Sequence, residues 1–362
     1  MKVNDWIPNV PVYQPGKPIT EVARELGFDD IDEIIKVASN ENELGPSPKA
    51  IEAMGAELAE MHRYPDGGGF YLKAKLCEKL GVNPENLLLG NGSNELIEFL
   101  GHVYLGEGAN LVMSQGAFIV YRLVAMLFNA EVIATPMVEF AHDLDFMLAA
   151  ITPETRIVAI CNPNNPTGTI KAPVEIQNFL DKLPDHVLAV FDEAYFELVP
   201  DEMKSNLIQQ VMDGRKNILI LRTFSKAYGL AGLRIGYAIA HEEVIQTLNH
   251  VRQPFNVNAM AQAAAIAALD DDDHIAKTRD MVFQGLKFFA EQLHILGLEF
   301  VPSYTNFILV KTGNGVEMFK ELQKRKVIVR PMAGYGLPDW IRITLGTPEQ
   351  NKNVLEALAE VL

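Results

Sequence analysis

Seven short apolar runs, at 87–89, 110–113, 131–135, 156–161, 187–191, 218–222 and 235–240, restrict the folds open to this 362-residue chain more than any other feature. Most are unbroken rather than alternating, which is the pattern of strands covered on both faces. Helical stretches separate most of them, among them 94–104 and 117–128. Such an order predicts an α/β fold with a mostly parallel, seven-stranded open sheet. Ligands of open α/β sheets gather beyond the carboxyl ends of the strands, so residues carrying chemistry are expected just after these runs.

The two ends of the chain read differently. The first ~48 residues are rich in Pro, Asn and Gly and hold one short helical candidate, Ile19–Leu26. An Ala-rich helix is expected at 259–270, stopped by the acidic run 270–273 as a solvated helix end. Beyond it come a helix, a strand at 300–311, another helix, strands at 327–330 and 341–345, and a final helix. These features predict a large domain over 49–252 and a smaller α/β domain built from 1–48 and 253–362.

Partners are narrowed by charge. A net charge of −16 argues against nucleic acid and anionic membranes, while leaving room for a local basic pocket. No apolar run approaches the ~18 residues of a membrane span. The N-terminal stretch lacks the features of a signal peptide. Cys77 and Cys161, the two cysteines, show no CxxC spacing, so neither a disulfide scaffold nor a metal site is expected, and a cytoplasmic location fits.

Candidate chemistry begins at Thr223-Phe224-Ser225-Lys226-Ala227-Tyr228-Gly229, after the run 218–222. A lysine walled by apolar and small residues at a strand end has a lowered pKa and can attack an aldehyde to form a Schiff base. Thr223, Ser225 and Arg234 are suited to hold a phosphate beside it. The alternative is a surface lysine in a glycine-rich turn. Asp192 follows the run 187–191, where a buried carboxylate needs a cation such as a pyridinium nitrogen. Tyr195 would then serve the ring oxygen; a helix-capping Asp is the plainer reading. Asn165 lies in the proline-fixed turn Asn162-Pro163-Asn164-Asn165-Pro166-Thr167-Gly168, which can aim an amide inward. Gly92, Ser93 and Asn94 open a helix after 87–89 and make an anion site from backbone N–H groups. Phe118 and Tyr121 follow the next run, where an aromatic can stack on a flat ring, with core packing as the alternative.

Together, Asn165-Pro-Thr-Gly, Asp192-x-x-Tyr195 and Ser225-Lys226 with Arg234 eight residues later resemble the fold-type I pyridoxal 5′-phosphate (PLP) aminotransferases. The stretches Tyr13-Gln14-Pro15-Gly16 and Ser39-Asn40-Glu41-Asn42 narrow the resemblance to the histidinol-phosphate branch, and it extends through Arg63-Tyr64-Pro65-Asp66. The resemblance implies that Lys226 carries PLP and then moves the substrate proton, while Asp192 pairs with the pyridinium. Asn165 and Tyr195 would contact the ring oxygen and Phe118 the ring face. It implies a phosphate held by Gly92, Ser93, Asn94, Thr223, Ser225 and Arg234, with Tyr64 reaching in from the second subunit of a homodimer. Arg342, Arg330, Tyr13 and Asn42 would bind the substrate. The implied reaction exchanges an amino group between L-histidinol phosphate and 2-oxoglutarate in histidine biosynthesis.

Two positions depart from the branch pattern. Glu43 replaces a proline and is expected to put a carboxylate beside the substrate entrance. Ser114-Gln115-Gly116-Ala117 precedes Phe118 where Pro-Thr is commoner. Other readings carry less. An aromatic amino acid aminotransferase and a phosphothreonine decarboxylase share the cofactor motifs. A PLP-sensing regulator needs a basic DNA-binding segment, for which the residues before Tyr13 leave no room. The loop Gly90-Asn91-Gly92-Ser93-Asn94-Glu95 lacks the third glycine of a nicotinamide-binding turn.

Overall fold

The computed structural model describes residues 1–14 and 16–362; Pro15 of the Tyr-x-Pro-Gly motif lies outside the described residues. All seven expected strands form: β1 (Leu87–Gly90), β2 (Asn110–Ser114), β3 (Glu131–Thr135), β4 (Thr155–Cys161), β5 (Leu188–Asp192), β6 (Ile218–Thr223) and β7 (Gly236–Ala240). They make one sheet in the order β1-β7-β6-β5-β4-β2-β3. The strands from β6 to β3 are parallel, whereas β7 runs antiparallel to both neighbours.

Unbroken apolar strands feed two cores at once, because successive side chains point to opposite faces. Ile218 and Ile220 of β6 face one core and Leu219 and Leu221 the other. Helices Pro173–Lys182 and Ala259–Leu269 cover the first face, and helices Ser93–Tyr104 and Ile119–Leu127 the second. Helix Ala259–Leu269, expected within the smaller domain, thus packs its alanines into the larger core. Small side chains let it lie close against helix Pro48–Glu57.

The expected strand at 300–311 is instead a hairpin. Residues β8 (Phe300–Val301) and β9 (Phe307–Lys311) pair antiparallel across a turn that contains Pro302, which cannot donate to a ladder. The expected strand at 327–330 also divides. Val327–Ile328 pairs parallel with Ile35–Lys36 from the N-terminal region, while β10 (Arg330–Pro331) pairs antiparallel with β11 (Trp340–Thr344). The smaller sheet has the order β8-β9-β11-β10. The acidic run is more than a solvated end. Asp271 is buried and its side chain accepts from the His274 N–H, capping helix Asp272–Ile295, whose first turn favours carboxylates. Among the described residues, no helix is long and apolar enough to cross a membrane.

Candidate active site

The carboxyl ends of β4, β5 and β6 and the arginine-bearing strands of the smaller sheet line one cavity. Because β7 is antiparallel, its start sits at that same edge, with Gly236 opposite Thr223 and Gly90. That direction brings Arg234, two residues before Gly236, to the site.

Lys226 projects from the turn after β6. Its Nζ donates to the Ser39 and Asn40 carbonyl oxygens at 3.2 and 3.3 Å. Burial, then the nearby Arg342 and Arg234 guanidinium groups, lower its pKa to about 8 against the pull of Glu41 and Asp192. At neutral pH an appreciable share of this amine is unprotonated and nucleophilic.

Asp192 ends β5 and is 5 % exposed. Tyr121 Oη donates to its Oδ2 at 3.1 Å and the Ala194 N–H to its Oδ1 at 3.2 Å. Neither donor is a cation, and burial raises the carboxyl to about 6 despite both bonds. Among the described residues, Asp192 is the sole carboxylate lining the cavity. Tyr195 lines the same cavity, its oxygen accepting from Asn40 Nδ2 at 2.9 Å.

At the opposite end, Ser93 and Asn94 start helix Ser93–Tyr104 after Gly92 at φ +77°. The left-handed backbone at Gly92 favours glycine, and a Cβ there would come within 2.6 Å of Arg234 Nη2 and push that side chain aside. Thr223, Ser225 and Arg234 close this basic cradle.

Two arginines line another part of the cavity. Arg330 and Arg342 stand directly opposite each other on β10 and β11. Like charges in that register repel, and an anion between them removes the penalty. Arg342 Nη2 donates to the Ala38 carbonyl at 2.9 Å and Nη1 to Asn165 Oδ1, while its buried Nε has no partner. Arg330 Nη2 donates to the Gln14 carbonyl at 2.8 Å, and Tyr13 lines the same wall.

The donor set fits PLP: a partly neutral amine, a buried carboxylate without a cation, a basic cradle at a helix start, and the Phe118 ring in the wall between them. Three expected residues fall outside the cavity lining. Gly92 sits just behind the lining as the N-cap of helix Ser93–Tyr104. Asn42 directs its amide to the Ala227 carbonyl at 2.9 Å and Thr278 Oγ1 at 3.1 Å, which braces the Lys226 turn instead of facing a ligand. Tyr64 is 83 % exposed and stacks on Phe255 with 4.7 Å between ring centroids. Glu43, expected beside the entrance, turns to Gln350 Nε2 at 2.7 Å because an amide donor lies within its reach.

The sequence reading assigned no role to Asn40 or Tyr335 and offered Tyr121 only as an aromatic able to stack on a ring, whereas it bonds to Asp192. Asn40, at φ +56°, ties together Lys226, Tyr195 and Thr344; asparagine tolerates that conformation better than most residues, a signal available in the sequence. Tyr121 lies three positions after Phe118, the spacing that puts two residues on one side of a helix. Tyr335 lines the cavity from a glycine-flanked turn and carried no sequence signal.

Residues 32–358 match the family model for aminotransferase class I and II. The chain is 48 % identical to a histidinol-phosphate aminotransferase of Akkermansia muciniphila over 99 % of this chain and 98 % of that protein. Against one from Moorella thermoacetica it is 46 % identical, covering 100 % and 93 %. Among solved structures, it superimposes on histidinol-phosphate aminotransferase from Sinorhizobium meliloti in complex with pyridoxal-5′-phosphate with a TM-score of 0.90 and 27 % identity, covering 99 % and 97 %. With a cavity holding Lys226, Asp192 and Arg234 at the strand ends, and a family match over nearly its whole length, the chain belongs to the class I and II aminotransferases.

Proposed function

We propose that this enzyme transfers the amino group of L-histidinol phosphate to 2-oxoglutarate, forming imidazole-acetol phosphate and glutamate in histidine biosynthesis. The observation that carries the donor assignment is the opposed pair Arg330 and Arg342 at the wall of the cavity, in a chain of net charge −16. Two guanidinium groups in that register suit a dianionic phosphomonoester. Relatives at 46–48 % identity bearing the histidinol-phosphate aminotransferase name support the same reading.

PLP, when bound, supplies an aldehyde that condenses with amines and a ring that withdraws electrons. In this reading, Lys226 would hold the cofactor, and its Nζ, once free, would take the proton from the donor's Cα and pass it to the cofactor's carbon instead of back to Cα. A pKa of about 8 suits both directions of that transfer near neutral pH. Asp192 would hold a positive charge on the cofactor's pyridine nitrogen, with Tyr121 orienting the carboxylate. Tyr195 and Asn165 serve the ring oxygen, and Phe118 the ring face. Ser93, Asn94, Thr223, Ser225 and Arg234 bind the phosphate at the helix start. Arg342, Arg330 and Tyr13 bind the donor's anionic end.

The active unit is a homodimer in which exposed Tyr64 reaches the partner's cofactor phosphate, working in the cytoplasm. Residues 49–252 form the large domain, and 1–48 with 253–362 the small one, helix Ala259–Leu269 packing on the large core. An amino-donor panel with 2-oxoglutarate tests the reading. Histidinol phosphate should exceed phenylalanine and tyrosine in kcat/KM; a preference for phenylalanine would move the enzyme to the aromatic class, and CO₂ release to the decarboxylases.

A further inference from the structure

Tyr335 occupies an unusual position for a residue without an assigned role. It follows Ala333-Gly334 in a short 3₁₀ turn ended by Gly336 at φ +76°. Tyr335 lines the active-site cavity and two further clefts. The ring packs beside Phe140 and Leu337 on the cluster of Met332 and Trp340, which fixes its direction.

The hydroxyl end lies in the field of Arg342, Arg330 and Tyr13. Burial raises the phenol's pKa, so the group keeps its proton at neutral pH and acts as a donor. Among the described residues, the phenol oxygen has no hydrogen-bond partner, so its proton is free for a ligand in the cavity that Tyr335 lines.

A carboxylate has two oxygens, and one arginine fork satisfies both. A phosphomonoester has a third terminal oxygen and a second charge, which call for further donors on the same wall. Arg330 supplies charge across the strand pair, and Tyr335 supplies a neutral, directed O–H. We propose that Tyr335 is a substrate-binding residue that selects a phosphomonoester over a carboxylate at the Arg330–Arg342 wall, by donating its phenol proton to the third phosphate oxygen. The proposal rests on the donor reading above and deepens it.

The test is Tyr335→Phe in the PLP-loaded enzyme, which keeps the ring and its packing. Loading is first matched by cofactor absorbance. Three quantities are then compared with the parent: kcat/KM for histidinol phosphate, kcat/KM for glutamate in the reverse direction, and the inhibition constant of inorganic phosphate. Loss of a hydrogen bond to a charged acceptor predicts a fall of about tenfold or more for histidinol phosphate, with phosphate inhibition weakened about as much. Glutamate should change by less than about threefold, since its carboxylate is served by the arginine fork. Equal losses for both donors, or unchanged phosphate inhibition, would overturn the proposal. If the parent enzyme does not turn over histidinol phosphate, the donor assignment fails separately. The phosphate arm then decides Tyr335 by itself: equal inhibition of both proteins rejects the role, and weaker inhibition of the variant supports it.

Discussion

Asp192 should be a stability liability in the cofactor-free protein, and Asp192→Asn measures how large. Burial raises this carboxyl from 3.8 to about 6 in the folded chain. A group whose folded pKa lies above its unfolded value contributes stability that is fully present below the unfolded pKa. It is lost as pH rises through the folded one. The shift of about 2 units corresponds to roughly 3 kcal/mol at 1.36 kcal/mol per unit, complete above about pH 7. About 2 kcal/mol of that should develop between pH 4.5 and pH 8. Asparagine carries no such charge and can still accept from Tyr121 Oη through its amide oxygen. Urea unfolding of the two cofactor-free proteins, followed across that range, isolates the contribution because every other titrating group is common to both. The variant should gain on the parent by about 2 kcal/mol from the acid to the alkaline end, and adding PLP should favour the parent. A difference between the two proteins that stays flat from pH 4.5 to pH 8 would refute the reasoning.

Three further outcomes follow from the same geometry. Lys226→Ala should abolish the bound-cofactor absorbance of the parent and nearly all turnover while leaving far-ultraviolet circular dichroism unchanged; parental activity in this variant would remove the central claim. Tyr121→Phe takes away a donor that lowers the Asp192 pKa, so that carboxyl should titrate higher. The acid limb of the kcat/KM profile should then shift to higher pH, and an unmoved limb would mean that Tyr121 only packs. Tyr64→Phe should weaken PLP affinity about tenfold by loss of one bond to a charged phosphate. Mixing it with Lys226→Ala should restore one competent site per mixed dimer only if Tyr64 acts across the interface, and sedimentation would show whether a dimer exists.

Much of the site's neighbourhood was legible along the chain. The runs that became β4, β5 and β6 were visible as unbroken apolar stretches, and Asn165, Asp192 and Lys226 each follow one of them closely. Local punctuation also served: Gly92 and Ser93 mark a helix start, and Asp192 ends a strand. Where sequence reading went astray, the deciding contacts were not local. The stretch 300–311 has the composition of one strand, yet it folds back on itself around Pro302, so that Phe300 pairs with Val310. The alanines at 259–268 suit any helix packing, and only the neighbouring helix Pro48–Glu57 assigns them to the larger core. Asn42 and Glu43 had plausible roles in a binding site until Thr278 and Gln350 turned out to be their partners.

By itself, the sequence determined which residues would be strands, which turns would carry chemistry, and that Lys226, Asp192 and the Gly92-Ser93 helix start belong to the edge of one sheet. Those properties depend on burial period and turn chemistry over a few residues. Tertiary structure alone decided that Arg330 faces Arg342, that Tyr121 bonds to Asp192 across 71 positions, and that Asn40 reaches Tyr195 across 155. Register, strand direction and layer packing set those distances, and none of them is encoded within a short window of chain.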